Sequence, residues 1–316
     1  MADRKGHQRS ARILPSSIGT DLSGVHLASP TMIASGVLGI SFELFPRIIS
    51  SGCGAIVSKS IGQDPREGYG NPTMTGVDGG YLNAIGLANP GAKEFARELE
   101  ESRDRAIPLV VSIFADSADR FANLARFLEK PNFFAYELNL SCPHVKEVGS
   151  EIGTDPEEAA NIIRRVKKSS SKPVFAKMPS SIPNVSLWAK RVEDAGADAI
   201  VAINTIRAMK IDIETQKPVL SNKIGGLSGT AIKPVGVRCV YEIYEAVKIP
   251  VIGVGGISNS SDAIEYILAG ATCVQVGSAM ARGFLGTFGE INEGIAKYVK
   301  RKGFSHVGEL VGYGHK

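Results

Sequence analysis

Short apolar runs recur along the chain, and most are followed by a stretch with helical spacing. The runs at 31–34, 55–60, 109–114, 135–141, 173–178, 199–204, 251–254 and 273–276 read as strands. Helical patterns lie between them at 92–105, 118–129, 156–169, 185–195, 234–247 and 261–269. Strands alternating with helices imply a parallel sheet, and eight such units imply a closed (β/α)8, or TIM, barrel rather than an open sheet. Helix punctuation agrees. Asp155 with Glu158 forms a capping-box-like pair, with Pro156 at the first helical position. Gly196 and Gly270 stand where a helix would end before the next strand. Residues 16–27 read as a short hairpin plugging the barrel bottom. No Pro/Ser-rich linker or composition shift divides the chain, so residues 1–316 read as one α/β barrel domain, with 1–15 as a flexible basic arm.

The connections are uneven. Those at 61–90, 142–154 and 205–232 are long, and long loops in compact domains are usually functional or disordered. In a barrel, the loops after the strand C-termini build the active site.

Composition narrows the function classes. The net charge is +4, and the basic residues form no long blocks, so nucleic-acid binding is not expected. Arg4, Lys5, Arg9 and Arg12 precede no apolar region, so a secretory signal is not expected, and no apolar stretch reaches the ~18 residues of a transmembrane helix. The four cysteines show neither metal-like spacing nor a disulfide framework, which points to a reducing, cytoplasmic setting and no metal site. Cys53, Cys239 and Cys273 sit in apolar contexts and read as small core residues. Glycine is enriched at 35 of 316 residues, clustered at the ends of apolar runs where backbone must approach something closely.

The chemistry gathers at strand ends. The fourth strand runs through Glu137, Leu138, Asn139, Leu140 and Ser141 into Cys142, Pro143 and His144. Asn139 alternates with apolar neighbours and so points into the barrel mouth. Cys142 follows on a loop, where a thiol with an ordinary pKa near ~8.5 can act as a base if its surroundings lower that value. Lys59 and Lys177 end strands two and five, and Asn204 and Thr205 end strand six. Gly255 with Gly256, and Gly277 with Ser278, end strands seven and eight, where barrels commonly bind phosphate through backbone N–H groups. A phosphorylated ligand follows, and these glycines alone do not separate a flavin from a sugar phosphate.

The Cys142 string resembles the catalytic loop of class 1 dihydroorotate dehydrogenases. The resemblance covers nearly the whole chain. It includes Ala34-Ser35-Gly36, Ser58-Lys59-Ser60, Gly70-Asn71-Pro72-Thr73, Gly153-Thr154-Asp155-Pro156, Ile203-Asn204-Thr205, Gly255-Gly256-Ile257 and Gly277-Ser278-Ala279. Leu82-Asn83-Ala84-Ile85-Gly86-Leu87-Ala88-Asn89-Pro90 and Gly225-Gly226-Leu227-Ser228-Gly229 look most like class 1B, the branch that passes electrons to a partner subunit.

The resemblance implies oxidation of dihydroorotate to orotate in pyrimidine biosynthesis, with FMN as cofactor and Cys142 as catalytic base. It places Lys59 and the loop Asn83, Ala84, Ile85, Gly86 and Leu87 on the substrate carboxylate. It places Asn139, His144, Asn204 and Thr205 on the pyrimidine, since amides supply both donor and acceptor. The cofactor would be held by Ser35, Lys59, Ser60, Ser112, Asn139, Lys177, Ile203, Gly229, Gly255, Gly256, Gly277 and Ser278. Lys177 would favour the anionic reduced flavin. The loop at 142–154 would close to exclude water.

Two positions depart from the pattern. Many relatives carry Asn where this chain has His144, and the related barrel of dihydropyrimidine dehydrogenases also reads Cys-Pro-His, so a dihydropyrimidine such as dihydrouracil is the alternative substrate. Ser112 stands where an Asn contacts flavin in some relatives. The nearest G-x-G-x-x-G match, at 253–258, lacks the third glycine, and the scattered cysteines offer no iron–sulfur relay. A homodimeric barrel core with a partner carrying FAD and a [2Fe–2S] cluster is therefore expected, with direct reoxidation by fumarate, as in class 1A, the alternative.

Overall fold

The computed structural model describes residues 14–39, 41–101, 107–141 and 152–316. Cys142, His144 and the arm through residue 13 lie outside the described residues.

Eight strands close into a parallel barrel: β1 (Thr31–Ile33), β2 (Ala55–Val57), β3 (Leu109–Ile113), β4 (Ala135–Asn139), β5 (Val174–Lys177), β6 (Ala199–Ala202), β7 (Val251–Val254) and β8 (Ala271–Val276). Neighbours in sequence are neighbours in the sheet, and β8 returns to β1 with Gln275 beside Met32. Each strand is followed by a helix: α1 (Phe45–Ser50), α2 (Ala92–Glu101), α3 (Ala118–Phe127), α4 (Pro156–Lys167), α5 (Val185–Asp194), α6 (Lys233–Ala246), α7 (Ser260–Leu268) and α8 (Gly286–Arg301). The expected (β/α)8 architecture is present.

Because side chains alternate across a strand, each barrel strand feeds two cores. Tyr136 and Leu138 of β4 pack outward with the helices, whereas Ala135 joins Met32, Val57, Val110, Phe175 and Ile252 inside the barrel. The same alternation points Glu137 and Asn139 inward. The segment before β1 forms the expected hairpin, Thr20–Leu22 paired with Val25–Leu27. Leu22 and Leu27 belong to the interior cluster, and Ser23 Oγ donates to the carbonyl of Asp198, just before β6. The hairpin therefore plugs the N-terminal end and leaves the C-terminal end open.

Two of the long connections are not irregular. Met74–Val77 and Gly80–Asn83 from the first pair with Ile206–Met209 and Ile224–Ser228 from the second in one four-stranded antiparallel sheet. This sheet stands over the barrel mouth. The helices α1 and α8 were not expected from the helical pattern. α8 carries Gly286, Gly289 and Gly294, which read as breakers in sequence. At Gly294 a side chain would collide with Ser260 at the start of α7, so this glycine permits close helix packing. Asp155 caps α4 through the N–H of Glu157 at 2.8 Å rather than through a capping box with Glu158.

Candidate active site

A cavity of about 880 Å³ lies between the strand C-termini and the overhanging sheet, within the ~300–1,000 Å³ usual for small-molecule sites. Its wall includes Ser35, Lys59, Ser60, Asn83, Ala84, Ile85, Gly86, Leu87, Asn139, Lys177, Ile203, Asn204, Thr205, Gly229, Gly255, Gly256, Gly277 and Ser278. Residues from seven barrel strand ends and two roof loops thus converge on one space. Ser112 does not line it. This residue is fully buried behind Ser60, with the two hydroxyl oxygens 2.9 Å apart.

The amides are held in a chain of hydrogen bonds. Asn204 Nδ2 donates to Asn139 Oδ1 at 3.3 Å, and Asn139 Nδ2 donates to Ser60 Oγ at 3.2 Å. Asn139 Oδ1 also accepts from the backbone N–H of Ser141 at 3.3 Å, and Asn204 Oδ1 from that of Thr205 at 2.8 Å. Ser141, on the cavity wall and next to Cys142, has a buried hydroxyl with no partner among the described residues. On the roof, Asn83 Nδ2 donates to the carbonyl of Gly226 at 3.2 Å, which ties the two roof loops together beside the cavity.

The lysines differ in charge environment. Burial lowers the pKa of Lys59, and among the described residues no carboxylate pairs with it. A partly desolvated cation without a counter-charge suits an anionic ligand. Lys177 is paired instead, with Nζ 3.2 Å from Glu137 Oε1. Lys233, at the start of α6, is held by Asp262 and Glu265, and its hydrogen bonds to Glu265 and then Asp262 raise its pKa. Its charge is thus directed to α7, leaving the adjacent glycine corner to present backbone.

The glycines at that corner act in different ways. Gly256 has φ +72°, and a side chain there would meet Gly229 O at 2.6 Å and Lys233 Cβ at 2.8 Å, so glycine is required by the fold itself. Gly277 is unstrained. A Cβ there would touch Ala34 at 3.5 Å, an ordinary contact on the cavity wall. Gly86, with φ +76°, leaves room for the backbone of Tyr69, whose N atom would lie 2.7 Å from a Cβ. The close approach there is made by the protein's own chain.

Several residues escaped the sequence reading. Arg66 and Arg207 line the exposed rim of the cavity, brought there by the roof loops. Glu137 and Gln275 lie buried beneath Lys177, and the signal for Glu137 was its spacing of two from Asn139 on an inward-facing strand. The cysteines at 53, 239 and 273 are buried, and burial pushes the Cys53 and Cys273 thiols up to about 12. Among the described residues, no group of three or more His, Cys, Asp or Glu could hold a metal ion, and no helix is long and apolar enough to cross a membrane.

The family model for dihydroorotate dehydrogenase matches residues 17–299, a span that includes every barrel strand and the roof. The chain belongs to the dihydroorotate dehydrogenase family. Members of this family are flavin-dependent oxidoreductases. Similar proteins include one from Methanocella arvoryzae, 45% identical over 299 residues, covering 95% of this chain and 98% of the relative. One from Pyrococcus furiosus is 46% identical over 301 residues, covering 95% and 99%. One from Methanocaldococcus jannaschii is 40% identical over 301 residues, covering 94% and 98%. All three are named dihydroorotate dehydrogenase B (NAD(+)), catalytic subunit, the class 1B branch that the strings at 82–90 and 225–229 resemble.

Proposed function

We propose that this chain oxidises (S)-dihydroorotate to orotate in de novo pyrimidine biosynthesis, in the cytoplasm, with FMN as its cofactor. The observation that carries the reading is Lys59: a half-buried cation with no acidic partner among the described residues, on the wall of a cavity that also presents the side-chain amides of Asn83, Asn139 and Asn204. Dihydroorotate has the matching parts, one carboxylate and two ring amides.

The glycine corner and the two cavity lysines fit a phosphorylated flavin. Backbone N–H groups around Gly229, Gly255, Gly256, Gly277 and Ser278 would hold the phosphate, and Ser35, Ser60, Ile203 and Lys177 would flank the ring. When bound, FMN supplies the acceptor for the hydride that leaves substrate C6.

The chain's own residues do the rest. Lys59 and the Asn83–Leu87 loop hold the carboxylate. Asn139, Asn204 and Thr205 orient the ring amides, and their mutual hydrogen bonds set the amide directions before substrate arrives. Cys142 accepts the C5 proton as general base, and His144, two residues further along the chain, is a substrate-binding residue in this reading. Electrons then leave through a partner subunit carrying FAD and a [2Fe–2S] cluster, docked on a barrel homodimer.

The test is product analysis. Purified chain, dihydroorotate and an artificial dye acceptor should yield orotate in step with dye reduction. Dye reduction by dihydrouracil with none by dihydroorotate would overturn the reading in favour of a dihydropyrimidine dehydrogenase, the alternative that His144 favours.

A further inference from the structure

Beneath the cavity lies a buried polar group that the proposed chemistry does not use. Glu137 on β4 is fully buried, and Gln275 on β8 is 1% exposed. Their strands stand on opposite sides of the eight-stranded ring, yet Gln275 Nε2 donates to Glu137 Oε2 at 2.6 Å. The two side chains therefore bridge the barrel axis. The other carboxylate oxygen of Glu137 faces Lys177 Nζ at 3.2 Å. Lys177 lines the cavity, whereas neither Glu137 nor Gln275 does. The acid thus reaches a bound ligand only through the lysine.

The surroundings make this arrangement costly. Ala135, Phe175 and Ile252 of the same interior are apolar, and an ionised carboxylate buried among them needs every partner it has. Gln275 Oε1 is itself buried with no hydrogen-bond partner among the described residues. An apolar pair would fill the axis without these demands. What the polar pair supplies is a fixed negative charge on the far side of the Lys177 ammonium.

We propose that Glu137 is a positioning residue: braced across the barrel axis by Gln275, it holds Lys177 at the cavity floor and moderates how strongly that cation favours the reduced, anionic cofactor. The proposal rests on the flavin reading above. A lone cation beside the ring would raise the reduction potential, and a carboxylate behind it opposes part of that effect.

The experiment is a spectrophotometric determination of the midpoint potential of the bound flavin in the purified holoprotein. Glu137→Gln removes the negative charge and should raise the potential. An increase of about tenfold in preference for the reduced form would read as about 30 mV for a two-electron couple. Gln275→Met keeps the carboxylate and its lysine but removes the neutral donor, so it should move the potential the other way and by less. This second variant serves alone if Glu137→Gln does not give folded holoprotein. Unmoved potentials, or shifts of the same sign in both variants, would overturn the proposal. Wild-type chain that folds but takes up no flavin would instead overturn the reading on which it rests.

Discussion

Asn204 donates its side-chain N–H to Asn139 Oδ1 at 3.3 Å, although β5 separates their strands. The contact is possible because alternate barrel strands place inward side chains at the same level. Asn139 then passes its own N–H to Ser60, whose hydroxyl meets Ser112. The substrate amides would thus meet a preset row of donors and acceptors.

The first prediction concerns that row. Asn139→Ala removes a ligand contact and also leaves Asn204 without its acceptor. At ~0.5–1.5 kcal/mol for each neutral hydrogen bond, orotate binding should weaken about tenfold. The double variant with Asn204→Ala should fall short of the summed single effects, because the residues are coupled. Titration of the flavin spectrum with orotate measures all three, and strict additivity would contradict the coupling.

Lys59 supplies a pH dependence. Burial lowers its pKa, so it loses its proton at a lower pH than the ordinary lysine value of ~10.4. Orotate affinity should therefore fall as pH rises through that lowered value, since the carboxylate stays ionised while its counter-charge disappears. Lys59→Arg should remove this alkaline decline, and Lys59→Met should weaken orotate far more than uracil, which lacks the carboxylate. Equal weakening of both ligands would assign Lys59 to the cofactor alone.

The glycine corner separates fold from binding. Gly256→Val should fail to fold well, because its Cβ meets backbone and its φ is positive. Gly277→Val should fold with a circular dichroism spectrum like that of the wild type yet purify largely without flavin. Full flavin occupancy in folded Gly277→Val would remove the phosphate from this corner.

Electron transfer offers a fourth test. The isolated chain should turn over with dye acceptors but not with NAD, because it has no complete dinucleotide fingerprint and no clustered cysteines. Rapid turnover with NAD alone would contradict the need for a partner subunit, and rapid turnover with fumarate would move the chain to class 1A behaviour.

Much of the barrel was legible because its strands are apolar runs bounded by glycine and followed by amphipathic helices. The strand ends were read slightly long, as at 55–60, where β2 stops at Val57 and the chain continues along the cavity through Lys59 and Ser60. The roof was not legible. Its strands are short and rich in glycine, and the pairing that joins its two halves, Gly80–Asn83 with Ile224–Ser228, spans a great sequence distance. Ser228 bonds to Tyr81, 147 residues away, and no local pattern encodes that match. The strand-end site residues were legible from position, whereas the Glu137–Gln275 bridge depends on barrel closure. Ser112, which the family resemblance places on the cofactor, lies behind Ser60, because its inward-facing hydroxyl meets the Ser60 hydroxyl rather than the cavity.

The most direct measurement is anaerobic rapid mixing of the purified flavoprotein with dihydroorotate, following the visible flavin absorbance through one turnover. Dihydroorotate should bleach the flavin, and Cys142→Ala should slow the bleaching by ~10²–10⁴-fold with flavin still bound, as expected for loss of a general base. No bleaching by dihydroorotate, or a Cys142→Ala rate within about threefold of the wild type, well below that general-base range, would contradict the assignment.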